Sequence, residues 1–277
     1  MSEVVSNKKS NYKQEVKEMS FWDHLKELRW RLMRSVIAIV IISIVAFLYK
    51  EIIFDSIILA PKNSNFITNQ LLCKLSVLLN IDYLCFKTIN FELINVTMSG
   101  QLTTHLFISF ITGLIIAMPY IVWEFWQFIK PALLEKERKY ATSAVVIISL
   151  LFLLGVLFSY FILVPLSVQF LGSYQVSPQI SNKITLESYI STVTSLTFAT
   201  GLVFELPVIV FFLVKIGLMT ASFMKKNRRY AVIVILILAA IITPGTDIFS
   251  QLMVSLPLYL LYEASIIVAK RVEKKSI

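Results

Sequence analysis

Apolar runs on the order of 17 residues or longer recur along this chain, and nothing else in it constrains the fold as strongly. As helices, runs of that length cross the ~30 Å hydrocarbon core of a bilayer. Lipid offers no hydrogen bonds, so a spanning backbone must pair with itself, and a helix does so within one segment. Of 277 residues, 57% are hydrophobic and 16% charged, too little charge to cover a soluble surface and with no room left for a soluble catalytic domain. The expected class is an all-α integral membrane protein.

Punctuation divides the chain further. Residues 1–19 read as a disordered polar tail. Ser20 with Asp23 predicts a cap opening an amphipathic helix, with Phe21, Leu25, Leu28 and Leu32 on one stripe and Asp23, Glu27 and Arg31 on another. Spans are expected over about 32–49, 101–122, 140–164, 188–214, 230–242 and 248–269, making a membrane domain of 20–270 and a tail of 271–277. The fifth is short: thirteen residues reach roughly 20 Å before Thr243-Pro244-Gly245. The sixth follows that turn and is broken by Pro257, so two short helices joined by a tight turn are expected, one long kinked helix being the other reading. No repeat relates the two halves, which argues against an inverted-repeat transporter.

Charge orients these spans. Twenty-one of the 26 Lys and Arg fall in the segment up to Arg34, in 123–140, in 215–229 and from Lys270 onward. The other five lie in segments that six alternating spans would place on the opposite side. Positive charge stays cytoplasmic, so both ends are expected inside. The formal net charge of +9 is then a topological signal and predicts no nucleic-acid partner. The first thirty residues lack an apolar core of the kind found in cleavable signals.

The stretches 50–99 and 173–187 are expected outside. Cys73 and Cys85 lie in the first, where an oxidising compartment permits a disulfide; two small buried apolar residues is the other reading. With no CxxC, HExxH or phosphate-loop motif, no metal or cofactor is expected. His24 and His105, the only histidines, sit in no hydrolase motif and read as structural, so no enzyme is expected.

Acidic groups carry the remaining signal. Glu205 lies ten residues before Lys215, roughly 15 Å into the membrane. A carboxylate there costs at least ~2–3 kcal/mol unless it is paired, protonated or wetted. Pro207 frees a backbone carbonyl nearby. At the inner rim, Glu27, Glu135 and Glu137 accompany Phe125, Trp126 and Phe128, a setting suited to a basic peptide with an apolar continuation. The aromatics alone also fit an interfacial belt.

The phrases HLKELRWRL at 24–32, WQFIKPALLEKERK at 126–139, GLVFELPVIV at 201–210, TPGTDIFSQ at 243–251 and LPLYLLYE at 256–263 resemble the TatC family, the core receptor of the twin-arginine protein translocation (Tat) system. The resemblance covers roughly 20–270. It implies a glove-shaped fold of six helices, N-in and C-in, with short fifth and sixth helices, in the bacterial cytoplasmic (inner) membrane. It implies that Glu27, Arg29, Phe128, Pro131 and Glu137 form the site for twin-arginine signal peptides of folded cargo, and that Glu205 is the family's intramembrane glutamate. Asp247 and Gln251 match polar positions where the single-span partners TatA and TatB dock. It further implies a homo-oligomer within a receptor complex and transport driven by the proton-motive force. The alternative from another class is a proton-coupled small-solute transporter using Glu205. The tail before Phe21 and the first external stretch look longer than in a minimal member.

Overall fold

The structure is a computed structural model and describes residues 21–63, 65–79, 91–129, 141–177, 179–243 and 248–276. The expected tail 1–19, Ser20 and Cys85 lie outside them. In chain order the helices are α1 (Phe21–Leu48), α2 (Ile67–Leu79), α3 (Gly100–Ile129), α4 (Ala141–Phe158), α5 (Val164–Ser173), α6 (Leu186–Val203), α7 (Leu206–Lys215), α8 (Ala221–Lys226), α9 (Arg228–Ile242) and α10 (Ile248–Ser276). Two strands, β1 (Glu92–Ile94) and β2 (Lys183–Thr185), two π-helical turns (Ile52–Ile58 and Ser159–Leu163) and one 3-10 turn (Ala60–Lys62) complete the described elements.

Among the described residues, five segments are long and apolar enough to cross a membrane: His24–Leu48, Gly100–Ile129, Ala144–Ser173, Leu186–Lys215 and Ile248–Lys274. Their outward residues are apolar, as along Val36, Ile37, Val40, Ile41 and Ile44 of α1. The 15 residues of α9 reach only about 22 Å, short of the hydrocarbon core. The expected short last helix is corrected. At 29 residues, α10 continues through Pro257 and beyond Ala269 into Lys270-Arg271-Val272-Glu273. Helical pattern persists there although hydrophobicity stops, and hydrophobicity was the signal that had ended the span.

Prolines set the breaks elsewhere. Pro165 has no N–H, so the carbonyl of Phe161 loses its helical donor, and a π-helical turn over Ser159–Leu163 joins α4 to α5. Thr68 of α2 donates its hydroxyl to that carbonyl. Pro207 acts similarly between α6 and α7, where the turn at Phe204 and Glu205 interrupts the helix. At the far end of α7, Gly217 adopts φ +78°. That left-handed conformation lets the N–H of Leu218 reach the carbonyl of Leu213 (2.9 Å) and its own N–H reach Val214 (3.0 Å).

The expectation of a purely helical chain is also corrected. β1 and β2 pair in parallel, with Leu93 opposite Ile184. Both side chains pack on the main core, while Glu92 and Lys183 are exposed. Residues from the two stretches read as external thus meet in one small sheet. Tyr189 and Tyr160 donate to the carbonyls of Ile58 and Ile57 (both 2.8 Å), tying the segment after α1 to the same end of the bundle.

Packing is closest where side chains are smallest. A Cβ on Gly113 of α3 would stand 2.1 Å from the Ser43 hydroxyl oxygen of α1. One on Gly155 of α4 would stand 3.0 Å from the Cα of Gly201 on α6. Lipid-embedded helices gain little from hydrophobicity against one another, so close backbone approach and dispersion hold them. The main core draws on α1, α3, α5, α6, α9 and α10, around Ile108, Ile190, Val193, Leu196, Val254 and Leu258. A second joins α7, α8 and α10 through Val210, Val214, Met224 and Ile266.

Candidate functional site

Antiparallel packing of α1 and α3 brings the start of one beside the end of the other. The helix α3 runs past Val122 to Ile129, so Trp123–Ile129, read from sequence as the beginning of a loop, is its last two turns. At this rim His24 stacks on Phe128, ring centroids 4.3 Å apart. About two turns further along α1, Arg31 bridges two carboxylates. Its Nε and Nη2 donate to Oε1 of Glu27 at 3.0 and 2.5 Å, and its Nη1 donates to Oε2 of Glu124 at 3.2 Å.

Both carboxylates lie partly out of water, but unequally. The Glu124 side chain is 8% exposed and Glu27 23%. A charge as enclosed as Glu124 persists only when paired and hydrogen-bonded. Its Oε1 accepts from the Tyr120 hydroxyl at 2.8 Å, and Arg34 Nη1 stands 3.9 Å from the same oxygen. Tyr120 precedes Glu124 by four residues, one helical turn, which puts both on one face. On Glu27, Oε1 is taken by Arg31, while Oε2 is buried and makes no hydrogen bond among the described residues.

Of the residues named from sequence, Glu27 and Phe128 are brought to this rim and Arg29 is exposed on the same helix. Pro131, Glu135, Glu137 and Asp247 lie outside the described residues. Glu124 and Tyr120 were missed: with 123–139 read as a loop, their helical spacing had no meaning. A lone Glu in IVWEFWQFI was the available signal.

Glu205 occupies the helix break. It is 9% exposed, lies against the backbone of Phe152 on α4, and has Oε1 buried without a hydrogen bond among the described residues. Gln251, the other polar residue expected for partner docking, donates from Nε2 to the carbonyl of Leu236 (2.9 Å), fastening α10 to α9. Between the two regions, Trp126 of α3 meets Phe212 of α7, ring centroids 5.5 Å apart. Cys73 is disulfide-bonded.

Comparison with known proteins bears on the whole chain. Residues 23–257 match the model of the TatC family, described as Sec-independent protein translocase protein. The Sec-independent protein translocase protein TatC of Blattabacterium sp. subsp. Periplaneta americana is 41% identical over 265 residues, 95% of this chain and 99% of the relative. TatCy of Bacillus subtilis is 32% identical over 261 residues, 94% of this chain and 92% of its own. A crystal structure of the twin-arginine translocase receptor TatC superposes with a TM-score of 0.71 at 33% identity, covering 90% of this chain and 99% of that one. The chain therefore belongs to the TatC family, as a multi-pass inner-membrane component of the Sec-independent protein translocase.

Proposed function

We propose that this protein is the receptor for twin-arginine signal peptides and binds them at the rim where α1 begins and α3 ends. The reading places both chain ends in the cytoplasm, six spans in the membrane with α9 as the short fifth, and this rim on the cytoplasmic face. One observation carries it: Glu27 has its carboxylate fixed through Oε1 by Arg31, while Oε2 is buried without a hydrogen bond among the described residues, on the helix whose His24 stacks on Phe128. A carboxylate held in a partly dry site binds guanidinium far better than one on an open surface, where a pair is worth ~1 kcal/mol or less.

Glu137 is the second carboxylate in this reading, with Arg29 and Pro131 completing the element. The signal's apolar stretch follows the helix interior toward Glu205, and TatA and TatB assemble against the short last pair. Several copies of the chain form the receptor complex, and the proton-motive force drives transport. Charge reversal tests the site. Glu27→Lys with Glu137→Lys abolishes crosslinking of an Arg-Arg signal peptide in membranes; undiminished crosslinking removes the site.

A further inference from the structure

We propose that Arg31 is an exchangeable internal guanidinium, which occupies Glu27 until an arginine of the incoming chain displaces it onto Glu124, and that this exchange sets the preference for arginine over lysine. The proposal rests on Glu27 being a receptor carboxylate, as above.

Three features of the network support it. First, Arg31 holds Glu27 through a single oxygen, so the Nε–Nη2 edge is not matched to both carboxylate oxygens. An incoming guanidinium that binds the two oxygens in parallel makes the better-matched pair, but it needs Oε1 released. Second, Arg31 already bonds Glu124 through Nη1, so it keeps a charged partner when it leaves Glu27. Without that partner, displacement would strand a guanidinium in a site where its side chain is only 20% exposed. Third, Glu124 does not depend on Glu27, because Tyr120 satisfies its other oxygen and the more exposed Arg34 is close by.

Charge alone does not select. Glu27 and Glu124 face Arg31 and Arg34, so their formal charges balance, and an arriving cation succeeds only by pairing better than Arg31 does. Lysine brings the same charge as a point donor and cannot span two carboxylate oxygens. It competes poorly with a resident guanidinium, whereas arginine replaces like with better-placed like. Arg31 thus acts as a threshold that lysine fails to cross. Glu124 is a positioning residue, since it acts on the incoming chain only through Arg31.

The test measures binding of a fluorescent Arg-Arg leader peptide and its Lys-Lys counterpart to the full-length protein in lipid nanodiscs. Glu124→Gln is nearly isosteric and keeps an acceptor for Tyr120, but it leaves Arg31 with Glu27 alone. Affinity for the Arg-Arg peptide should fall roughly tenfold, about 1.4 kcal/mol. The charge-balanced double variant Arg31→Gln/Glu124→Gln removes the competitor together with its second seat. Its Arg-Arg affinity should return to within about threefold of the original, while Lys-Lys affinity rises and the ratio between the peptides narrows. A merely structural role for Glu124 would leave that ratio unmoved. Glu27→Gln should abolish binding of both peptides in all backgrounds. If Glu27→Gln binds normally, the receptor reading falls and the exchange with it. If Glu27→Gln loses binding but Glu124→Gln does not weaken it, or the double variant keeps the original ratio or stays weak, the exchange alone is overturned.

Discussion

Thr68 donates its hydroxyl to the carbonyl of Phe161, the oxygen that Pro165 leaves without an amide partner. A break in a membrane helix is thereby made tolerable by a residue about ninety positions earlier. Thr68→Val keeps the shape and removes the donor. The expected loss is ~1–3 kcal/mol, read as a lower Tm in detergent, with Thr68→Ser close to the original. Equal Tm for Thr68→Val and the original would contradict the pairing.

Gly155 and Gly201 set how closely α4 approaches α6. A Cβ at 155 would stand 2.8 Å from the Cβ of Phe204, the neighbour of Glu205. Gly155→Ala is expected to destabilise by ~1–3 kcal/mol, because the atoms it would meet belong to backbone and the base of a side chain, which yield little. Thermal unfolding of the purified protein checks this.

Glu205 is buried at the break between α6 and α7, away from the rim formed by α1 and α3. Glu205→Ala should leave Arg-Arg leader binding within about twofold, well under the ~1.4 kcal/mol of a tenfold change, while slowing cargo export in cells. Export at the original rate would remove any role for Glu205 in passage through the membrane.

Lys225, on the loop side of α8, has its pKa lowered by the adjacent Lys270, through a hydrogen bond between the two amines and then through charge repulsion. The sign is that of two like charges: the pair sheds a proton more readily than an isolated lysine. An amine-acylating reagent should therefore modify Lys225 at lower pH than it does a model-peptide lysine. Lys270→Met should move the profile back up. Mass spectrometry of peptides labelled across a pH series reads both.

Much of this was legible in the sequence because lipid imposes simple rules. Run length marked the five long spans among the described residues, and the phrases containing Glu27 and Phe128 singled out two residues that stand at one rim. What escaped depended on where helices end and on contacts between distant segments. Trp123–Ile129 carries polar and aromatic residues that resemble a loop, yet it stays helical and so presents Tyr120 and Glu124 to Arg31. The end of α10 was lost for the same reason, since an amphipathic extension has no apolar run. Pairing of β1 with β2 could not be read from two three-residue segments about ninety residues apart. Glu205 was singled out by its place in an apolar run and by the phrase GLVFELPVIV, and its burial against α4 required the Gly155–Gly201 crossing to be seen.

Comparing wild-type binding of an Arg-Arg leader with that of its Lys-Lys counterpart, in nanodiscs and without partner subunits, probes the rim most directly. Tighter binding of the Arg-Arg peptide by tenfold or more, lost in Glu27→Gln, is the predicted result. Equal affinity for the two peptides would contradict the assignment of this rim as a guanidinium receptor.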